Sequence, residues 1–104
     1  MHSVLVVDDD HDLRNTVTTW VDSFGYQVSE AGSAEDALES MAGKPADIAV
    51  CDVSMAGKDG VWLAWRIRDL FPQTAIIMAS ALRDVETAVS SLRNDVVVAD
   101  LEET

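Results

Sequence analysis

The stretch IAVCDVSMAGKDG, Ile48 to Gly60, decides how the rest of the chain is read. An apolar run of strand type, Ile48-Ala49-Val50-Cys51, delivers one carboxylate, Asp52, to the start of a turn-prone segment containing Gly57 and Gly60. Open α/β sheets bind their ligands outside the carboxyl ends of the strands. Asp52 is therefore the first candidate for a working residue.

The pattern repeats on both sides. Residues 3–7 are a short, largely β-branched apolar run, as expected of a strand buried on both faces in a parallel sheet, and they end in Asp8-Asp9-Asp10. From Asp12 the period becomes helical: Leu13, Val17, Trp20, Val21 and Phe24 share one stripe, and Gly25 is placed to close the helix with a left-handed cap. Residues 26–29 form a second strand candidate. Ser33 then supplies an N-cap with Asp36 three residues later, and Ala37, Leu38 and Met41 make an apolar face before Gly43 and Pro45.

After Gly60, a helix is predicted over residues 61–71, with Val61, Ala64, Trp65 and Leu70 or Phe71 at helical spacing and Pro72 as its stop. Trp62 and Trp65 are expected to pack, since such a helix must cover a sheet. Residues 74–79 are a further strand ending at Ser80. Asp84 caps a helix with the stripe Val85, Ala88, Val89 and Leu92, and residues 96–99 read as a fifth strand.

Short apolar strands alternating with helical segments predict an α/β fold: a three-layer αβα sandwich around a five-stranded parallel sheet with right-handed crossovers. Residues 1–104 form one domain on this reading. After the fifth strand only Asp100-Leu101-Glu102-Glu103-Thr104 remain, so a final helix is expected to be missing. Apolar surface near the first helix and fifth strand is then expected to cause self-association or domain swapping.

Seven basic against nineteen acidic residues give a formal charge of −12, which repels nucleic acid and anionic membranes and leaves cations as the better partners. The lone Cys51 excludes an intrachain disulfide and suits a small buried strand residue. Neither a signal peptide nor a membrane-spanning run is present, so a cytoplasmic location is expected.

In a parallel sheet the carboxyl ends of the strands share one edge. Asp8, Asp9 and Asp10 from the first strand, Asp52 from the third and Ser80 from the fourth should therefore converge. Crowded carboxylates resist ionising together unless a counter-charge is present. A hard divalent cation such as Mg²⁺, bound by one or two carboxylates, a carbonyl and exchangeable waters, meets that need.

Three segments carry a family resemblance: VLVVDDD at residues 4–10, CDVSMAGKDG at 51–60 and IIMASA at 76–81. Together they resemble the receiver domain of two-component response regulators, in the right order and over nearly the whole chain. The resemblance implies a flavodoxin-like sheet of order 2-1-3-4-5. It further implies Mg²⁺-dependent acceptance of a phosphoryl group on Asp52 from a sensor histidine kinase or phosphotransfer protein, switching partner interactions toward a downstream effector. Such a domain acts as a switch rather than a turnover enzyme. Asp8 and Asp9 match the metal-binding acid pair, completed by Asp52 and the backbone carbonyl of Ser54; Ser80 matches the hydroxyl that hydrogen-bonds the phosphoryl group. Asp10 looks dispensable.

The sequence departs from the family at Ala56, where a proline is usual, and over residues 96–102, which lack the switch aromatic and the phosphoryl-pairing lysine. Glu102 stands roughly where that lysine would be, so weakened signal output is expected. Lys58 reads as a solvated loop residue. The alternative reading is a phosphorylation-independent pseudo-receiver acting as a protein-interaction module. A phosphatase of the haloacid dehalogenase type, using Asp8 and Asp10 as a first-strand Asp-x-Asp, is a more distant rival.

Overall fold

Hydrophobic periods of two and of 3.6 alternate along the computed structural model, which describes residues 2–52, 55 and 60–79. The elements are β1 (Ser3–Val7), α1 (His11–Ser23), β2 (Gln27–Ala31), α2 (Ala34–Gly43), β3 (Ile48–Asp52), α3 (Gly60–Leu70) and β4 (Ala75–Ala79). The strands form a parallel sheet of order β2-β1-β3-β4, with Val7 paired to Cys51 and Asp52 to Ala79. The helix predicted around residues 85–92, the strand over 96–99 and the final five residues lie outside the described residues.

β1 is central because both its faces are apolar: Val4, Leu5, Val6 and Val7 are each at most 2% exposed. Alternation of side chains across the strand divides the core in two. Leu5 and Val7, with Ala49, Cys51 and Ile76, meet Ala37 and Met41 of α2 and Leu63, Ala64 and Ile67 of α3. Val4 and Val6, with Ile48, Val50 and Ile77, meet Val17 and Val21 of α1. Burying each such side chain contributes roughly 1.5–3 kcal/mol, which is why three layers close around so short a chain. Trp20 and Phe24 roof the α1 side, edge to face at 5.4 Å.

The helix ends follow local chemistry. Ser33 Oγ accepts the Asp36 N–H at 3.0 Å, as the capping pattern predicts, and Gly25 adopts φ 91° after α1. Asp10 corrects an expectation. Far from dispensable, it is the N-cap of α1 and its Oδ1 accepts the Leu13 N–H at 3.1 Å. β2 also differs, beginning and ending later than residues 26–29 because Asp8 N–H reaches Ala31 carbonyl and extends the pairing.

α3 departs most. Its buried residues are Gly60, Leu63, Ala64 and Ile67, whereas Trp62, Trp65 and Leu70 are 36%, 45% and 51% exposed. The expected packing of the tryptophans is thus overturned. Two stripes on this helix are apolar, and the one carrying Gly60 and Ala64 lets the backbone approach the sheet closely. Trp65 is instead covered in part by the Arg68 guanidinium, 5.2 Å from its ring. Large exposed apolar side chains among the described residues therefore lie on α3, not beside α1 as expected.

At the opposite edge from the carboxyl ends of the strands, Asp47 pins the start of β1. Its Oδ2 accepts Ser3 N–H at 2.9 Å and Ser3 Oγ–H at 3.3 Å. The backbone bond, then the Ser3 hydroxyl and His2, hold its carboxyl below the ordinary value of 3.8. A depressed acid contributes stability that is present above its unfolded pKa and lost as pH falls through its folded one. Asp47→Ala is expected to cost about 1 kcal/mol in urea unfolding at neutral pH, a hydrogen bond to a charged acceptor discounted for solvent. The difference from wild type should vanish below pH 3.8.

Candidate functional site

β1 and β3 are neighbours in parallel register, Val7 opposite Cys51, so one further residue along each strand brings Asp8 beside Asp52. Asp9 follows in the turn to α1. Carboxylate oxygens of Asp8, Asp9 and Asp52 all lie within 4.8 Å of one another, with Asp8 buried, Asp52 half-buried and Asp9 exposed. Residues 43 positions apart are thereby joined by sheet order alone.

Asp8 is the most constrained of the three. It is 7% exposed, and its Oδ1 accepts the Asp10 N–H at 2.9 Å. Burial pushes its carboxyl above the ordinary carboxylate range; the Asp10 N–H offsets part of this, and the charges of Asp52, Asp9 and Asp10 add to the rise. Two unit charges about 5 Å apart repel by roughly 3 kcal/mol at an effective dielectric near 20. An all-oxygen donor set whose members repel one another is suited to a hard divalent cation, which relieves both the repulsion and the desolvation.

Asp10 does not join the cluster, because its carboxylate is committed to the α1 cap. This separates the site from an Asp-x-Asp arrangement on one strand. Of the other residues predicted from sequence, Ser54, Lys58 and Ser80 lie outside the described residues. β4 ends at Ala79, paired with Asp52, and so reaches the same edge.

Two residues that sequence reasoning passed over adjoin the site. Arg14, on the first turn and a half of α1, donates from Nη1 to the Asp8 carbonyl at 2.9 Å and from Nε to Glu30 Oε1 at 2.8 Å. Nothing in the local pattern marks them, since Glu30 is presented by β2.

Beneath Asp52, Cys51 is fully buried and its thiol is pushed up to about 12, chiefly by burial and further by the Asp52 charge. The thiolate is the reactive form. Iodoacetamide at pH 8 is therefore expected to leave Cys51 unmodified in the folded protein and to label it fully in denaturing urea, as read by mass spectrometry. Rapid labelling without denaturant would contradict this burial.

With this geometry in view, comparison with known proteins is informative. The response regulator receiver domain family model matches residues 4–99. The transcriptional regulatory protein ZraR of Salmonella typhimurium is 38% identical over 90 residues, covering 86% of this chain and 20% of that protein. The C4-dicarboxylate transport transcriptional regulatory protein DctD of Rhizobium meliloti is 33% identical over 92 residues, covering 88% and 20%. The chain thus spans about a fifth of the length of these curated relatives. Among solved structures, the receiver domain of NtrX from Brucella abortus superposes with a TM-score of 0.72 at 29% identity, covering 89% of this chain and 79% of that one. TrrA from Thermotoga maritima, solved in complex with Mg(2+)-BeF, gives 0.74 at 28% identity, covering 96% and 87%. The sheet order, the acidic edge and a family match over nearly the whole length agree, and the chain belongs to the receiver domains of two-component response regulators.

Proposed function

We propose that this receiver domain accepts a phosphoryl group on Asp52 from the phosphohistidine of a sensor histidine kinase or phosphotransfer protein, with Mg²⁺ held by Asp8, Asp9, Asp52 and the backbone carbonyl of Ser54. The observation that carries this reading is the convergence of the three carboxylates within 4.8 Å at the carboxyl edge of the sheet. The bound cation supplies neutralisation of the charge on the phosphoryl oxygens. TrrA, solved with Mg(2+)-BeF, lends the metal assignment support.

In the proposed step an Asp52 carboxylate oxygen attacks phosphorus, the bond from phosphorus to the donor breaks, and an acyl phosphate forms. The end of β3 holds Asp52 half-buried, which limits its approach directions. Ser80 hydrogen-bonds the transferred group and passes its arrival to the following segment. The domain is a switch whose acyl phosphate hydrolyses slowly, and its output passes through a partner protein or domain, since a chain of charge −12 is unsuited to contacting nucleic acid itself. Among the described residues no helix is long and apolar enough to cross a membrane. We place the domain's action in the cytoplasm, where such donors present their phosphohistidines.

The test is incubation with acetyl phosphate and Mg²⁺ followed by intact-mass measurement. A gain of one phosphoryl group, removed by hydroxylamine as an acyl phosphate is, is expected. Absence of any gain at millimolar Mg²⁺ would turn the reading to a phosphorylation-independent interaction module.

A further inference from the structure

Arg14 is a cation set into the acidic edge. Its side chain is only 16% exposed, and a guanidinium so far removed from water needs partners for its donors. Two are provided: Glu30 Oε1 at 2.8 Å from Nε and the carbonyl of Asp8 at 2.9 Å from Nη1. Gly32 lies against it; a Cβ there would come 3.0 Å from Nη1, tight enough that the guanidinium would have to give way. The side chain therefore runs through a slot that spans the carboxyl ends of β1 and β2.

The acceptor is what gives this contact meaning. The Asp8 carbonyl belongs to the peptide group that joins Asp8 to Asp9, two of the three clustered acids. Asp8 is held at three points: its N–H by Ala31 carbonyl at 3.2 Å, its Oδ1 by Asp10 N–H at 2.9 Å, and its carbonyl by Arg14. Removing the third leaves the peptide plane between the two acids free to rotate, and the Asp9 carboxylate turns with it. Groups bonded to metal ligands rather than to the metal commonly set affinity in this way.

We infer that Arg14, oriented by Glu30, is a positioning residue of the acid site, fixing the Asp8-Asp9 peptide so that both carboxylates face one cation. This rests on the reading of Asp8, Asp9 and Asp52 as a Mg²⁺ site. It makes a prediction of unusual sign. By charge alone a cation beside a divalent metal repels it, so deleting Arg14 would tighten Mg²⁺ binding. A positioning role requires the reverse.

The experiment is isothermal titration calorimetry of MgCl₂ into wild type, Arg14→Met, Arg14→Lys and Glu30→Gln, each checked for folding by circular dichroism and thermal melt. Arg14→Met is expected to raise the Mg²⁺ Kd about tenfold, the lower end of the range for groups that orient metal ligands. Arg14→Lys keeps the charge but, as a point donor, does not hold both acceptors, and should weaken binding severalfold. Glu30→Gln retains an acceptor for Nε and should stay within about threefold of wild type, since the Asp8 carbonyl remains bonded. A merely structural Arg14 would lower the melting temperature of Arg14→Met and leave its Kd unchanged or tighter, which overturns the inference while the metal site stands. Should Arg14→Met fail to fold, an unchanged Kd in Arg14→Lys overturns it equally. A wild type that gives no Mg²⁺ response overturns both the inference and the site reading beneath it.

Discussion

Asp52→Asn is expected to reduce phosphoryl uptake from acetyl phosphate by roughly three orders of magnitude or more, the scale on which losing a nucleophile acts. The amide keeps the shape and one acceptor oxygen of the carboxylate but has neither its charge nor its nucleophilicity. The fold should not suffer. Asp52 closes a group of carboxylates within 4.8 Å of one another, and neutralising one of them relieves repulsion on the buried Asp8, whose carboxyl the Asp52 charge helps to push up. Thermal unfolding of Asp52→Asn without metal is therefore expected at or above the wild-type temperature. Loss of uptake with preserved stability assigns the acceptor. A phosphoryl group that still arrives on the variant would move the acceptor elsewhere, with Asp9, the exposed member of the cluster, the first position to map by peptide sequencing.

Ile67→Ala is the second large effect, expected to lower unfolding free energy by about 2–5 kcal/mol in urea titrations. Ile67 is fully buried between α3 and the sheet, beside Leu63, Met41 and Ile76 in one core layer, and its removal leaves a cavity that rigid neighbouring strands do not close. Trp65→Ala, only two residues away, should cost less than about 1 kcal/mol, because the ring is 45% exposed and loses mainly its contact with Arg68. The larger side chain thus matters less. Equal costs for the two variants would mean that α3 packs by the stripe its tryptophans mark rather than by the one described.

The α3 case shows where reading a sequence reaches its limit. Helical spacing correctly gives the element, and its start and end differ by one residue from residues 61–71. Spacing alone does not choose between two apolar stripes about half a turn apart. Size decides it: Gly60 and Ala64 allow close approach to β3 and β4, and bulky indoles on that face would hold the helix away. Asp10 was similarly ambiguous, because an aspartate before a helix suits both a cap and a ligand, and only its bond to Leu13 N–H separates the two.

By itself the sequence determined the alternation of strands and helices, the Ser33 and Gly25 caps, and the delivery of Asp8, Asp9 and Asp52 to strand ends, because periodicity, capping and turn chemistry act over a few residues. The tertiary structure alone decided that α3 buries Gly60, Leu63, Ala64 and Ile67 and leaves Trp62 and Trp65 in solvent. It also decided that Asp10 turns away from the acids, and that Arg14 reaches across from α1 to join Glu30 to the Asp8 carbonyl. These depend on distances between elements far apart in the chain, which are set by how closely helices and strands can pack and not by any local pattern.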